Sequence, residues 1–118
     1  MSYRIAIGTR DGVEVNEHFG QGRNFQIIEI DQQAEEVKLL GSIEVVHSGY
    51  CGAGQDEKLI QEKIQAFLDW NVAAVLVKQI GPGSERMLTK NGIEVLVFSG
   101  KIADGLERIK KFYKRRRF

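Results

Sequence analysis

The hydrophobic positions in the first half of the chain follow the two-residue period of β-strands. Residues 3–9, 25–31 and 37–46 are rich in β-branched and apolar residues, and short connections join them. Gly41 interrupts the third segment, which predicts a bend there. We therefore expect three strands in an antiparallel meander, with a turn at residues 32–34 between the second and the third.

In the second half, predicted helices alternate with predicted strands. Residues 56–70 carry apolar side chains at helical spacing, namely Leu59, Ile60, Ile64, Phe67 and Leu68. The nearly uninterrupted apolar run 72–77 is typical of a central strand covered on both faces. Gly81-Pro82-Gly83 predicts the start of a helix that continues to about Asn91 and ends at Gly92. A strand over 93–98 and a helix over 102–113 complete the pattern.

This order of elements predicts an α/β fold with one domain that spans residues 1–118. The expected sheet is mixed and five-stranded, in the order 3-2-1-4-5, with strand 2 antiparallel and helices on its flanks. The loops that follow the parallel strands 1 and 4 then meet at one edge of the sheet, where ligands commonly bind.

Composition narrows the class of protein. The chain is 42% hydrophobic and 28% charged, and no segment approaches the roughly 18 continuous apolar residues of a membrane span. A single cysteine indicates a reducing compartment, and the first strand follows the N-terminus without a hydrophobic leader, so we expect a cytoplasmic protein. Residues 110–118 hold six of the 17 basic residues and no acidic one, which leaves a net charge of about −5 on the rest. This basic tail is interpreted as a solvated helix end, with an anion or partner contact as the alternative.

Three residues have side chains that bind soft or borderline metal ions. His18 lies in a polar loop, and His47 and Cys51 lie four residues apart in a second, glycine-rich loop. Two ligands do not make a closed zinc site, so an open or shared site is expected. Asp11 and Glu17 are candidates to orient the His18 imidazole. The alternatives are a surface histidine that packs on Phe19 and a small buried cysteine.

The glycine-rich loop does not match a nucleotide-binding motif. Gln55 and Asp56 stand where a phosphate-binding loop needs lysine and a hydroxyl residue, and Glu57 replaces the third glycine of the dinucleotide pattern. A nuclease is also disfavoured, because strands 1 and 4 carry no carboxylates for metal ions. A cysteine-dependent enzyme that uses Cys51 stays open as an alternative, although no oxyanion donor can be named.

Several motifs together resemble one family. Asp11-Gly12-x-x-Val15-x-x-His18-Phe19-Gly20, the loop with Cys51, Ile80-Gly81-Pro82-Gly83 and Gly92-Ile93-Glu94-Val95 are similar to the dinitrogenase iron-molybdenum cofactor biosynthesis family. This family includes NifX-like proteins and the C-terminal domain of NifB. The resemblance implies a ribonuclease H-like fold and a non-catalytic protein that carries an iron-sulfur cluster or an iron-molybdenum cofactor precursor, in a setting related to nitrogen fixation.

From the resemblance and the chemistry together we predict the site residues. The metal ligands are His18, Cys51 and His47, of which His18 matches the histidine of the family motif. The further cofactor-binding residues are Phe19, Gly20, Gly52, Gly54, Gly81 and Gly83. The expected partners are assembly proteins that donate and accept the cofactor, with no nucleic acid or membrane, and the protein is expected to be a monomer or a weak homodimer. A protein-binding module of the same fold without metal is the main alternative.

Overall fold

The computed structural model describes residues 2–19, 24–34, 36–44 and 55–115. Seven strands and three helices lie in this part of the chain. The strands are β1 (Ser2–Gly8), β2 (Glu14–Val15), β3 (Asn24–Asp31), β4 (Val37–Glu44), β5 (Val72–Val77), β6 (Glu94–Val97) and β7 (Gly100–Lys101), and the helices are α1 (Gln55–Asp69), α2 (Pro82–Lys90) and α3 (Ile102–Arg115).

Five strands form one mixed sheet in the order β4-β3-β1-β5-β6. The pairs β1–β3 and β3–β4 are antiparallel, and the pairs β1–β5 and β5–β6 are parallel. The meander of the first half therefore forms one side of the sheet, and the strands that follow α1 and α2 form the other. The carboxyl ends of β1 and β5 lie at the same edge.

The pairing of β3 with β4 is irregular near the predicted bend. Ile27 lies opposite Gly41, whereas the next residue, Ile28, lies opposite Leu39, so Leu40 is an extra residue in β4. An extra residue of this kind bends the strand that contains it. Residues 45 and 46, the predicted end of this strand, lie outside the described residues.

Each face of the sheet has its own hydrophobic core. On one face, α1 and α2 cover β1, β3 and β5 through Phe67 and Leu88, which are fully buried. On the other face α3 packs through Ile102 and Ile109. β5 contributes Val75 and Val77 to the first core and Ala74 and Leu76 to the second. Its unbroken apolar run is explained by this burial on both sides.

The ends of the helices match the local sequence signals. Pro82 opens α2, and Gly92 follows its C-cap with φ of +80°, a left-handed conformation that glycine adopts without a steric penalty. α3 continues to Arg115, so most of the predicted basic tail belongs to its last turns. There Lys110 forms an ion pair with Glu107 at 3.2 Å, and Tyr113 stacks on Tyr3 with ring centroids 4.0 Å apart.

A small second sheet was not predicted. The two-residue strands β2 and β7 pair antiparallel, and the amide of Ile102 donates to the carbonyl of Val13 at 2.8 Å. This sheet joins the loop after β1 to the start of α3. None of the helices in the described segments is both long and apolar enough to cross a membrane.

Candidate functional site

The loop that follows β1 is folded around the carboxylate of Asp11. One oxygen of this carboxylate accepts hydrogen bonds from the amides of Val13 at 2.9 Å and Glu14 at 3.0 Å and from the hydroxyl of Thr9 at 3.3 Å. The amides of Glu14 and Val13 stabilise the charged carboxylate and lower the pKa of Asp11 below its usual value of 3.8. Asp11 therefore shapes the turn that precedes the His18 segment.

Glu17 is a buried carboxylate with partners inside the same loop region. Its oxygens accept hydrogen bonds from Nε of Arg10 at 2.7 Å and from the amide of Asn24 at 3.2 Å. Burial of a carboxylate is tolerated when charge and hydrogen bonds compensate it. The contacts of Asp11 and Glu17 described above lie within their own loop and with Arg10 and Asn24. Their role in orienting the His18 imidazole stays a prediction.

His18 is exposed, yet its backbone is held against the chain that follows β5. The amide of Lys78 donates to the carbonyl of Glu17 at 3.0 Å, and the amide of Phe19 donates to the carbonyl of Gln79 at 2.8 Å. His18 and Gln79 thus form a parallel bridge that extends the pairing of β1 with β5. The two loops meet at the carboxyl edge as predicted. An exposed imidazole on a fixed backbone is suited to a reversible ligand contact.

Phe19 has a different role from its neighbour, since its side chain is fully buried. Its ring lies 6.1 Å from that of Phe25 and 6.2 Å from that of Phe67, between centroids, and the rings are tilted. These three rings form the aromatic cluster of the core beneath α1. Phe19 has no exposed surface, so its predicted role in binding a cofactor stays a prediction.

The start of α2 lies three residues after Gln79. Gly81 precedes the helix with extended backbone angles, φ −79° and ψ 157°, and its carbonyl accepts a hydrogen bond from the amide of Glu85. Gly81 and Gly83 are exposed, and a Cβ atom at either position would meet no atom within 4 Å. The amides of the first helical turn are orphan donors that can bind an anion. Packing within the chain does not require these glycines, so their predicted role toward a ligand stays a prediction.

The other predicted site residues, Gly20, His47, Cys51, Gly52 and Gly54, lie outside the described residues. Within the described segments, no group of three or more histidine, cysteine, aspartate or glutamate side chains could hold a metal ion. Of the three predicted ligands, the structure therefore describes His18 alone.

One residue near the site was missed from the sequence. Lys63 in α1 is fully buried, and its Nζ donates a hydrogen bond to the carbonyl of Phe19 at 2.5 Å. The burial of Lys63 could have been predicted from the sequence, because this residue stands three residues after Ile60 and four before Phe67, on the apolar face of the predicted helix. A lysine at such a position needs a polar partner in the core.

Comparison with known proteins agrees with this fold and with the family resemblance. The family model described as dinitrogenase iron-molybdenum cofactor matches residues 1–111. The chain belongs to this family. Among curated relatives, the FeMo cofactor biosynthesis protein NifB of Sinorhizobium fredii is 34% identical over 92 residues, which are 78% of this chain and 18% of that protein. NifB of Herbaspirillum seropedicae is 36% identical over 95 residues, 80% of this chain and 17% of that protein.

This chain therefore spans about a fifth of the length of these NifB relatives. Two solved structures share its fold. PH0822 superposes with a TM-score of 0.66 at 23% identity and covers 92% of this chain and 88% of its own. The apo form of the orange protein from Desulfovibrio gigas has a TM-score of 0.62 at 16% identity, with 90% and 85% covered. At these identities the likeness concerns the fold alone.

Proposed function

We propose that this protein is a non-catalytic carrier that binds an iron-sulfur or iron-molybdenum-type cluster and passes it between cofactor-assembly proteins. Membership in the cofactor family supports the pathway. The observation that carries the proposal is the exposed imidazole of His18, whose flanking peptides are hydrogen-bonded to the segment after β5. Because the backbone of His18 is fixed and its side chain is exposed, the imidazole can bind the cargo without enclosing it.

The supply of histidine and cysteine ligands favours a cargo over a permanent cluster. A resident iron-sulfur cluster is usually held by four protein ligands, whereas the chain has two histidines and one cysteine. A cluster that arrives with its own sulfides and must leave again needs few protein ligands. The amides of Gly83 and Ser84 would donate hydrogen bonds to sulfide or to an anionic organic ligand.

Cys51 and His47 complete the proposed ligand set, with Gly20, Gly52 and Gly54 close to the cargo. Chemistry supports this assignment, because a thiolate and a second imidazole are the donors that iron accepts beside His18. The proposal also includes the ribonuclease H-like classification of the fold, a cytoplasmic location, and a monomer or weak homodimer. The activities of whole NifB proteins are not part of it, since the chain matches only about a fifth of their length.

The test is anaerobic purification followed by reconstitution with iron and sulfide. The readouts are the visible absorption spectrum and the iron and sulfide content per chain. We expect the wild-type protein to retain a coloured cluster, and His18→Ala and Cys51→Ala to lose most of it. Gln33→Ala, an exposed polar residue in the turn between β3 and β4, is the control and should retain it.

Two outcomes would contradict the proposal. Equal retention by the wild-type protein, His18→Ala and Cys51→Ala would remove the site. A colourless wild-type protein that does not take up a cluster would favour the alternative of a protein-binding module without metal.

A further inference from the structure

Lys63 is the most unusual charged residue in the described part of the chain. Its side chain has no exposed surface, although lysine is almost never fully buried unless it is paired. Nζ donates to the carbonyl of Phe19 and lies 5.2 Å from the ring centroid of Phe19 and 5.8 Å from that of Phe25. The ammonium thus contacts the main chain next to His18 and two rings of the core at once.

The contacts of Phe19 hold its peptide groups from two directions. Its amide donates to the carbonyl of Gln79, after β5, and its carbonyl accepts from Lys63, in α1. The first bond alone would hold Phe19 only to the segment that follows β5. With the second bond, the residue after His18 is tied to both the sheet and the helix above it.

We propose that Lys63 is a positioning residue for His18: its buried ammonium fixes the His18-Phe19 backbone so that the imidazole meets the cargo in one orientation. This inference rests on the proposed function, because the benefit of a fixed His18 is measured on a bound cluster. Lys63 itself does not touch the cargo. The cost of burying the ammonium is offset by a charged hydrogen bond and by the two aromatic faces.

The first test measures the loop without any cluster. In Lys63→Met the alkyl chain is kept and the donor is lost. We expect hydrogen exchange of the Phe19 amide to accelerate by roughly 13- to 160-fold relative to that of Ile93, the range that one lost hydrogen bond to a charged group gives. The Ile93 amide donates to Leu88 at 2.9 Å and reports global stability. Lys90→Met, at an exposed lysine at the end of α2, is the matched control and should leave this ratio unchanged.

The second test measures the effect on the cargo with a double-mutant cycle. The rate constant at which a chelator removes the iron that each reconstituted protein retains, normalised to its starting iron content, is compared in the wild type, His18→Ala, Lys63→Met and the double variant. We expect Lys63→Met to accelerate removal in the wild-type background and to add nothing once His18 is absent. Acceleration by the same factor in both backgrounds would indicate a merely structural role and would overturn the proposal.

The outcomes separate this inference from the proposed function. If the wild-type protein takes up no cluster, the proposed function fails and the exchange ratio alone decides whether Lys63 holds the loop. If His18→Ala loses the cluster and Lys63→Met does not release it faster, the function stands and the role of Lys63 is refuted. If Lys63→Met does not fold, NMR of the wild-type protein decides: slowly exchanging Lys63 ammonium protons with contacts to the Phe19 and Phe25 rings are expected, and their absence overturns the proposal.

Discussion

Substitution of Phe19 separates the structural part of the His18-Phe19 motif from its chemical part. In Phe19→Ala a fully buried ring is removed from the cluster with Phe25 and Phe67. Truncation of a buried phenylalanine costs about 3–5 kcal/mol, through lost burial and the cavity that remains. The lost ring contacts and the lost cation–π contact with Lys63 place the expected value in the upper half of that range.

That loss is a large fraction of the whole stability. A domain of this size unfolds with a free energy of about 5–15 kcal/mol, so Phe19→Ala should remove roughly a quarter or more of it. The corresponding fall in melting temperature is roughly 10–25 °C. By contrast, His18→Ala should change the free energy of unfolding by no more than about 0.5 kcal/mol, because its side chain is exposed.

The assay is urea denaturation followed by the fluorescence of Trp70, the only tryptophan of the chain, which packs against the core that contains Phe19. In Phe19→Ala, the dependence of the free energy of unfolding on urea concentration (the m-value) should stay constant, and the urea concentration at the midpoint should fall. Val13→Ala, a residue of the same loop that is 59% exposed, is the control. A loss below about 1.5 kcal/mol for Phe19→Ala, or above about 1 kcal/mol for His18→Ala, would refute this division of roles.

Three further predictions concern other parts of the fold. Gly83→Ala should stabilise the cluster-free protein by about 0.4–1 kcal/mol in urea denaturation, because the added Cβ atom in α2 meets open space. Weaker cluster retention by the same variant would show that a ligand approaches this backbone. A loss of stability would contradict the open space at this position. Gly105→Ala should lower the free energy of unfolding by about 1–3 kcal/mol, because the added Cβ atom would lie 2.8 Å from Cδ2 of the buried Leu76. An unchanged free energy of unfolding would show that α3 can shift away from the sheet. Folding lowers the pKa of Asp11 below 3.8, so the stabilising contribution of its carboxylate is complete above pH 3.8 and is lost as the pH falls through the lower pKa of the folded state. In acid titrations of stability, the difference between the wild type and Asp11→Asn should therefore vanish below that lower pKa. A difference that persists at the lowest pH would refute this account.

Much of the architecture could be predicted because it depends on local periodicity. The apolar run 72–77 was expected to form a central strand, and β5 spans the same residues between two cores. Pro82 and Gly92 marked the ends of α2 through the backbone angles that these residue types favour. The meeting of the loops after β1 and β5 followed from the direction of parallel strands.

The small sheet of β2 and β7 could not be predicted in the same way. Its strands have two residues each, and residues 14 and 15 pair with residues 100 and 101 far along the chain. A pair of residues has no measurable period, and the start of α3 sets the position of the second strand. Such an element exists only after the rest of the domain has folded.

At the candidate site, residue chemistry identified His18 as a candidate ligand, and the His-Phe-Gly motif indicated the family. Only the tertiary structure decided what surrounds it: Phe19 is a core residue, Glu17 bonds to Arg10, and Lys63 holds the Phe19 carbonyl from 44 residues away. The physical reason is the distance along the chain over which each kind of interaction acts. Hydrophobic period, turn chemistry and helix ends act over a few neighbouring residues, whereas a buried charge takes its partner from whichever segment the fold brings to it.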